Sequence, residues 1–516
     1  MFRTRIPCLL LRNMTTYGVS KNGVTMKIEL NETETKICSL LKDVSGYIKT
    51  QRPDLPSIVS RIAGGWVRDK LLGKECHDLD VAVNDMMGYE YANYVNTYMI
   101  SQGYPVRSIA KIDSNPEKSK HLETATTKLF DQEVDFCNLR TEIYEEGSRI
   151  PSQITFGTPE EDAYRRDITI NSLFYNVNTN QVEDFTNQGI PDLIQGLIRT
   201  PLAPFETFRD DPLRVIRCIR FSSRFNFTMV PELIEAAKHP DIKDALIHKI
   251  SRERIGIEFE KMITGPYPLL SIVLIHRLEL YSIIMAPPSV IKSGHIASDT
   301  VAVNAVGIVT WLLDHGHIES TAEEKRGLIL SASVLPYYGV VSETKKKILP
   351  AVQLVMRDAI KSNNTDVAMV STVFKGIEQL GPMAQRNLLQ PVKRSELGML
   401  IRELGNLWQM AIKMSMVKEL LDTFQLDWTQ PQLIDIGQSI ILKYKGLITS
   451  AEQYGITDCY TWKHMVDGKR AAQLVGQKPG PIVTQLLKIQ MTWQLEHPQG
   501  TKEECEKAIK YHWDNK

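Results

Sequence analysis

Two aspartates one residue apart carry the strongest signal for chemistry in this chain. Asp78 and Asp80 stand at the head of the apolar run 81–83. Alternate residues of a strand point to one face, so a strand here would bring both carboxylates together. Carboxylates suit Mg²⁺, and two such ions can stabilise the attacking and leaving oxygens of a phosphoryl transfer. The pair therefore predicts a two-metal site, with a solvated strand end as the alternative.

A third carboxylate is a candidate member of the same centre. Asp135 lies between the apolar residues Val134 and Phe136. Such a group could accept the proton of an attacking hydroxyl. The alternative is a surface charge on an edge strand.

A Gly-Gly turn precedes the aspartates. Gly64 and Gly65 lie between a short apolar segment and a short helical pattern that ends at Gly73. Glycines let the backbone approach a ligand closely, and a helix start offers free N–H groups to phosphate oxygens. Arg68 lies within one turn of those amides and could face the same anion. The stretch predicts a phosphate site, although a Gly-Gly turn alone is usually a tight connection.

Two arginines stand directly before an aspartate. Arg165 and Arg166 could bind a triphosphate bidentately, while Asp167 accepts from ribose hydroxyls. That arrangement would favour ribonucleotides over deoxyribonucleotides. The alternative is a surface ion pair at a helix start.

Asp211 and Arg214 are spaced three apart at a predicted helix start. Cytosine and adenine each present an amino donor beside a ring-nitrogen acceptor, and uracil and guanine present the reversed order. A carboxylate and a guanidinium side by side therefore fit C and A. UTP or GTP would leave a buried group unpaired, at a cost of roughly 1–3 kcal/mol per group. The alternative is that Asp211 caps the helix, with Pro212 at its first position.

The same helix continues with arginines at spacings of three and four. Such a stripe could meet phosphates, or it could be a solvated face offset by acids from other helices. A second helical pattern holds Arg254 and Glu258 at i, i+4, a spacing that commonly stabilises a helix. The arginines of the stripe are Arg214, Arg217, Arg220 and Arg224.

The elements that must position these residues change character along the chain. Residues 58–185 alternate short apolar runs with polar turns, which predicts strands, and the segments 122–130 and 133–139 flank Asp131-Gln132 like a hairpin. After Pro201, apolar residues recur at helical spacing almost to the end. We expect an α/β head followed by an all-helical remainder. The clearest predicted helices span 213–225, 301–313, 326–335, 397–417 and 482–493, and the polar segment 113–120 and the turn 478–481 join elements.

The bulk composition limits the protein class. A chain of 516 residues is too long for a single core, and no apolar run approaches the roughly 20 residues that span a bilayer. The formal net charge is +0, so any RNA contact must come from a local patch. Seven cysteines without metal-ligand spacing favour a reducing compartment and no structural metal.

The N-terminus has the composition of a mitochondrial transit peptide. Before Glu29 it carries five basic residues and no acidic residue. The alternative is plain terminal disorder. Met14 and Met26 lie inside the segment, so alternative start codons would allow mitochondrial and cytoplasmic or nuclear products.

Taken as an ordered set, these motifs resemble those of class II tRNA nucleotidyltransferases, the CCA-adding enzymes, and of the related bacterial-type poly(A) polymerases. The resemblance begins at residues 64–73 with Asp78 and Asp80, and continues through 165–171, 184–192, 210–214 and 252–258. Asp210 departs from the family, which more often has Glu there. Beyond about residue 262 only the turn at 478–481 resembles the family, and loosely.

The resemblance implies roles for the residues. Arg166 would bind phosphate, and Asp167 with Asn171 would bind the sugar. Asp211 and Arg214 would serve as a protein template for the base. Arg252, Arg254 and Glu258 would brace the helix that reads the base.

The resemblance also implies an α+β fold with a polymerase-β-like head that contains a mixed sheet. The activity would be template-independent addition of CCA to tRNA from CTP and ATP with two Mg²⁺ ions, with no membrane and no protein partner implied. Alternatives are a poly(A) polymerase of the same family and a non-catalytic RNA-binding relative. The expected segments are 1–28 (basic targeting or flexible), 29–200 (catalytic head), 201–287 (helical neck), 288–445 (helical body) and 446–516 (helical tail that binds tRNA).

Overall fold

The computed structural model describes residues 27–112, 124–144, 151–287, 296–343, 348–424 and 431–515. The chain divides into two compact units, one ending at Ile284 and the other running from Met285 to the C-terminus. This division lies close to the predicted boundary at 287–288. Nearly all of the predicted targeting segment and all of the polar segment 113–120 lie outside the described residues.

The N-terminal unit opens with helix α1, Glu32–Gln51. Asn31 and Glu34 form a capping box: Asn31 Oδ1 accepts from the Glu34 N–H at 2.9 Å, and the Glu34 carboxylate accepts from the Asn31 N–H at 2.8 Å. Glu34 also accepts from Trp66 Nε1 at 3.0 Å. This buried carboxylate therefore both starts α1 and ties it to the segment that follows the first strand.

A mixed seven-stranded sheet forms the centre of this unit, in the order β3-β4-β5-β2-β1-β8-β9. Its neighbours pair antiparallel except β2 and β5, which run parallel. The fold is thus the expected α+β head with a mixed sheet. The strands up to β9 are β1 Ser60–Ala63, β2 Leu79–Val83, β3 Ala110–Ile112, β4 Thr124–Leu129, β5 Gln132–Asn138, β6 Arg140–Tyr144, β7 Pro151–Phe156, β8 Phe174–Asn176 and β9 Gln181–Glu183; β6 and β7 form a separate antiparallel pair.

The predicted hairpin is confirmed as β4 and β5, which pair antiparallel from Ala125–Phe136 to Leu129–Gln132. Its two-residue turn is Phe130-Asp131, one position before the predicted pair. Both residues have positive φ, 50° and 65°. Two positive φ values are what a type I′ hairpin turn requires.

Helix α3, Gly88–Ser101, packs against the sheet at β5. A Cβ atom at Gly88 would lie 2.2 Å from the backbone oxygen of Phe136, so only glycine lets the helix begin this close to the strand. Tyr91 of this helix is fully buried and meets the Phe136 ring edge-on at 5.3 Å. This packing covers one face of the sheet. Side chains at the alternate positions along each strand point to the opposite face.

The remaining elements of the unit are mostly helical, as predicted, and the predicted helix 213–225 is confirmed without change. They are α2 Gly65–Leu71, α4 Pro159–Tyr164, the 3₁₀ turn Thr169–Asn171, α5 Gly189–Gln195, α6 Pro204–Asp210, α7 Leu213–Phe225, α8 Pro231–Lys238, α9 Pro240–Lys249, α10 Arg252–Ile263, α11 Pro268–Arg277 and α12 Tyr281–Ile284.

The C-terminal unit is built from helices, and none of the helices described is long and apolar enough to cross a membrane. They are α13 Thr300–Asp314, α14 Ala322–Ser333, α15 Ala351–Asp358, α16 Asn364–Leu389, α17 Arg394–Leu404, α18 Trp408–Phe424, α19 Pro431–Gln453, α20 Gly468–Leu474, α21 Ile482–Glu496 and α22 Lys502–Asp514, with 3₁₀ turns at Leu335–Tyr337, Gly405–Leu407 and Cys459–Thr461.

Two features depart from the predicted all-helical remainder. Short strands pair as β10 Leu197–Ile198 with β11 Thr228–Met229, and as β12 Val341–Glu343 with β13 Ile348–Pro350. The predicted helix 397–417 is two helices, α17 and α18, because the chain turns at Gly405 with φ of 62°. A left-handed residue cannot continue a right-handed helix, and apolar spacing does not reveal it.

Candidate active site

The predicted residues meet at one cavity of 590 Å³ in the N-terminal unit. Its volume is in the range of small-molecule sites, roughly 300–1,000 Å³. Arg252 and Glu258 lie outside its lining. The predicted residues that line it are Gly64, Gly65, Arg68, Asp78, Asp80, Asp135, Arg165, Arg166, Asp167, Asn171, Asp211, Arg214, Arg217, Arg220, Arg224 and Arg254.

The three carboxylates come together through the parallel pairing of β2 and β5. Asp80 is the register partner of Asp135, and Asp78 lies directly before β2. Along β2, Asp80 is exposed between the buried residues Leu79 and Val81, so it faces the cavity. Because β5 lies inside the sheet between β4 and β2, the edge-strand alternative for Asp135 is wrong.

The charge on Asp80 is opposed by its surroundings. Desolvation in the cavity raises the pKa of Asp80 to about 6, the neighbouring charges of Asp78 and Asp135 act in the same direction, and Arg166 opposes them. Thr126 Oγ1 donates to Asp135 Oδ1 and holds that carboxylate in place. A cation would relieve the repulsion among the three carboxylates.

The donor set fits Mg²⁺ that is shared with a substrate. Over the described ranges, no three His, Cys, Asp or Glu side chains are grouped as a complete metal cage. Mg²⁺ usually keeps water and uses one or two carboxylates together with substrate phosphates. Asp78 and Asp80 supply two carboxylates at the cavity wall, which is the number such a site needs.

The Gly-Gly turn makes room for Arg166. Gly64 has φ of 68°, and α2 begins at Gly65, as predicted. A Cβ atom at Gly64 would lie 2.9 Å from Arg166 Nη1 and 3.4 Å from the backbone oxygen of Asn171. Glycine is therefore required here by backbone conformation and by the approach of the guanidinium.

Arg68 lines the cavity but is itself buried. Its Nε donates to Asp69 Oδ1 at 2.8 Å, and its Nη1 donates to the Asn171 side chain. The guanidinium carbon lies 4.7 Å from the centre of the Phe225 ring. These contacts orient the Asn171 amide, a function that the sequence prediction did not include.

Arg165 and Arg166 share one buried partner that the sequence prediction missed. Asp162, in α4, accepts from Arg165 Nε at 2.9 Å through Oδ1, and from Arg166 Nη2 at 2.9 Å through Oδ2. Burial opposes ionisation of Asp162, but Arg166 and Arg165 outweigh it and hold its pKa below the usual range. Its spacing of three and four residues before the arginines is a signal that could have identified it.

Asp167 is buried rather than a member of a surface ion pair, so that alternative is wrong. It accepts from Asn171 Nδ2 at 3.1 Å and from Arg217 Nη2 at 2.7 Å. Burial disfavours its charge, but Arg217 and the Asn171 hydrogen bond outweigh burial and lower its pKa to about 2. The cavity therefore presents an ionised Asp167 beside the amide of Asn171.

Asp211 makes a capping contact and also lines the cavity. Oδ1 accepts from the Leu213 N–H at 3.2 Å, a capping contact at the start of α7. Oδ2 accepts from Arg254 Nη2 at 2.8 Å, which holds the carboxylate at the cavity. Arg214 is buried and donates from Nη2 to the backbone oxygen of Arg165 at 2.7 Å.

The other arginines of the α7 stripe are offset by acids from other elements. Arg217 and Arg220 both pair with Glu258, and Arg224 pairs with Asp69 at 3.1 Å. The predicted Arg254–Glu258 pair along α10 is therefore wrong, because each residue bonds instead across to another segment.

Arg252 is the third residue predicted to brace α7. Its Nη1 donates to the backbone oxygen of Ile283 at 2.6 Å. Arg254 and Glu258 contact side chains of or next to α7, whereas this hydrogen bond of Arg252 goes to α12.

Comparisons with known proteins agree with this geometry. The family model described as the poly A polymerase head domain matches residues 60–199, and one described as the probable RNA and SrmB-binding site of polymerase A matches residues 226–290. The mitochondrial CCA tRNA nucleotidyltransferase of Candida glabrata is 39% identical, over 94% of this chain and 96% of the relative. The chain belongs to the CCA tRNA nucleotidyltransferase family.

Other members of the CCA tRNA nucleotidyltransferase family are also similar to this chain, in sequence or in fold. The mitochondrial enzyme of Saccharomyces cerevisiae is also 39% identical, over 93% of this chain and 92% of its own length. The Thermotoga maritima CCA-adding enzyme complexed with tRNA shares the fold, with a TM-score of 0.60, 19% identity, and coverage of 94% of this chain and 96% of that one. The expected fold and the family resemblance are confirmed.

The ranges matched by the two family models can be compared with the residues that line the cavity of this member of the CCA tRNA nucleotidyltransferase family. The head match covers the Gly-Gly turn, the carboxylates and residues 165–171, and the second match covers 252–258. Asp211 and Arg214 lie in the interval between the two matches. Neither family model therefore includes the two residues proposed to bind the base. Their assignment depends on the geometry of the cavity.

Proposed function

We propose that this chain adds C, C and A to the 3′ end of tRNA from CTP and ATP, without a nucleic-acid template. The relatives that match nearly its whole length carry that activity in their names. The observation that carries the proposal is that the cavity unites three carboxylates, the Arg165-Arg166 pair and the Asp211–Arg214 pair in one space. Metal, triphosphate and base can thus be bound together.

The triphosphate and sugar are assigned to neighbouring walls. Arg165 and Arg166 bind phosphate oxygens, and the Gly65 N–H at the start of α2 adds a donor, whereas the Gly64 N–H is already bonded to the backbone oxygen of Leu173 at 2.9 Å. The ionised Asp167 accepts from ribose hydroxyls and Asn171 assists it, which favours ribonucleotides. Arg68 holds Asn171 and so supports the sugar site indirectly.

The base is assigned to Asp211 and Arg214. Asp211 accepts from the amino group of C or A, and Arg214 donates to the ring nitrogen beside it. Arg254 fixes Asp211 by a direct hydrogen bond, and Glu258 fixes Arg217 and Arg220 on the same helix. Arg252 anchors the start of α10 through Ile283.

Asp78 and Asp80 are assigned to hold Mg²⁺, with Asp135 beside them. When bound, the ions would lower the pKa of the tRNA 3′ hydroxyl and offset the charge on the transferring and leaving oxygens. Asp135 is aligned by Thr126 and is placed to accept the proton of the hydroxyl. Pyrophosphate leaves after each addition.

The helices outside the head are assigned to nucleotide selection and tRNA binding. Residues 201–287 form the neck that reads the base, 288–445 the body, and 446–516 the tail that binds tRNA. The chain divides into its two compact units between Ile284 and Met285, which supports the proposed boundary of neck and body. The helix α19, Pro431–Gln453, runs across the proposed boundary of body and tail, so that boundary has no such support.

Mitochondrial targeting follows from the basic N-terminus and from the named location of the two fungal relatives. A cytoplasmic or nuclear product would arise from initiation at Met14 or Met26. Tagging the C-terminus and replacing each of these methionines separately tests this proposal, since loss of a start codon should remove one pool and leave the mitochondrial one.

Nucleotide addition to a tRNA that ends at the discriminator base tests the activity. CTP alone should add two residues, ATP alone should add little, and both together should add three and stop. A long A-only tail would identify a poly(A) polymerase instead. Binding of tRNA with no addition under any nucleotide would favour a non-catalytic RNA-binding relative.

A further inference from the structure

Asp162 stands behind the two arginines that face the cavity. It is 1% exposed and does not line the cavity, whereas Arg165 and Arg166 both do. A buried carboxylate normally requires a partner to remain charged. Here it has two charged partners, and both belong to the proposed triphosphate site; the Arg140 backbone N–H also donates to Oδ1 at 3.4 Å.

The geometry divides the carboxylate between the two guanidiniums. Oδ1 accepts from Arg165 Nε and Nη2, and Oδ2 accepts from Arg166 Nε at 3.1 Å and Nη2 at 2.9 Å. Each arginine therefore directs its Nε–H and Nη2–H at a single oxygen of Asp162, Arg165 at Oδ1 and Arg166 at Oδ2, and these hydrogen bonds are charge-assisted. The Nη1 atom of Arg166 turns to the Asn171 backbone oxygen at 3.2 Å.

This arrangement fixes the positions of the two positively charged guanidinium groups. A free arginine samples many rotamers, and ordering its long side chain on binding costs conformational entropy. Two adjacent guanidiniums also repel each other unless an anion lies between them. Asp162 removes both costs before a ligand arrives, because it is ionised and already bound to both side chains.

We infer that Asp162 is a positioning residue that pre-orders Arg165 and Arg166 for the triphosphate of the incoming nucleotide. The inference rests on the proposed function, because it assumes that these arginines receive a nucleotide. Asp162 itself touches no substrate. Its effect should therefore appear in phosphate binding and be absent from recognition of the nucleoside.

The test measures binding of CTP, inorganic triphosphate and cytidine to the full chain without tRNA. For Asp162→Asn we expect affinity for CTP and triphosphate to fall by about tenfold to about a hundredfold, the equivalent of one charge-assisted hydrogen bond. Cytidine affinity should stay unchanged. In steady-state addition, the KM values for CTP and ATP should rise together, with a smaller change in kcat.

Asp366→Asn is the matched control. Asp366 is also buried and pairs with one arginine, Arg326, at 2.7 Å, but it lies in the other compact unit. Both variants should lower the melting temperature, and only Asp162→Asn should raise the KM for nucleotides. Asp162→Glu keeps the charge and should recover part of the triphosphate affinity.

Unchanged triphosphate affinity in Asp162→Asn would overturn the inference, and so would an equal loss for cytidine, which would indicate general disorder. If the Asn variant does not fold, Asp162→Glu decides by the same comparison with wild type. Wild-type chain that binds CTP but never extends tRNA would refute the proposed function alone, since the binding measurement needs no transfer.

Discussion

Arg214 Nη2 donates to the backbone carbonyl oxygen of Arg165 at 2.7 Å. The residue proposed to read the base is thereby fastened to the main chain of a residue proposed to bind phosphate. The side chains proposed for the base and for the triphosphate are consequently joined through one segment of the main chain.

Replacing Asp211 by Ala should relax selection against UTP and GTP. The wrong bases lose their penalty when the carboxylate is gone, so discrimination should fall by about tenfold or more. Competition between CTP and UTP on tRNA measures it. Asp211→Asn separates the two roles, because the amide oxygen can still accept from the Leu213 N–H. Unchanged nucleotide choice in the Ala variant would leave Asp211 with the capping role alone.

The double change Asp78→Ala with Asp80→Ala should abolish nucleotide addition, because both proposed Mg²⁺ ligands are removed. Single-turnover addition with saturating tRNA and CTP is the measurement. Asp131→Ala is a suitable control, since this aspartate lies at the tip of the β4–β5 hairpin with its side chain 85% exposed. Normal activity of the double variant would refute the metal assignment.

The raised pKa of Asp80 predicts a pH dependence of stability in metal-free protein. The folded state holds this proton up to about pH 6, whereas the ordinary value is 3.8. Between these pH values, folded protein therefore binds more protons than unfolded protein. The stability that comes from the protonated Asp80 is lost as the pH rises through about 6. Urea unfolding measures the free energy of unfolding at pH 4.5 and pH 7.5. This free energy should decrease less between these pH values for Asp80→Asn than for wild type. Equal drops in the two proteins would contradict the prediction.

Glu258→Gln should destabilise the N-terminal unit. Glu258 is buried and pairs with Arg217 and Arg220, so the change leaves Arg220 without its anion, whereas Arg217 keeps its pair with Asp167. Breaking a buried ion pair costs roughly 3–5 kcal/mol. Urea unfolding measures the loss, and Glu32→Gln, which breaks an exposed pair with Lys36, should change little. A similar small change in both variants would show that α7 is held by its apolar contacts instead.

Much of the site was predictable because its residues follow rules of local geometry. Strand alternation placed Asp80 on an exposed face, and glycine spacing placed the turn that admits Arg166. Asp135 was also found, from its apolar neighbours alone. Its pairing partner was not, because strand order depends on contacts between segments far apart in sequence.

The ion pairs were the weakest part of the sequence prediction. Arg254 and Glu258 have the spacing of a helical pair, yet Arg254 bonds to Asp211 and Glu258 bonds to α7. Local spacing contributes only a few tenths of a kcal/mol, so packing between helices decides the partner. Asp162 is the opposite case, because its spacing from Arg165 and Arg166 does indicate the pairs that form, and only its burial could not be predicted from the sequence.

The parallel pairing of β2 with β5 has a kinetic consequence. Asp80 and Asp135 are register partners although α3, β3 and β4 lie between them along the chain. A slip of one residue would turn Asp135 to the opposite face and separate the carboxylates. During refolding, catalytic competence therefore cannot precede the correct alignment of these two strands, and the recovery of nucleotide addition sets the latest time by which that alignment is reached.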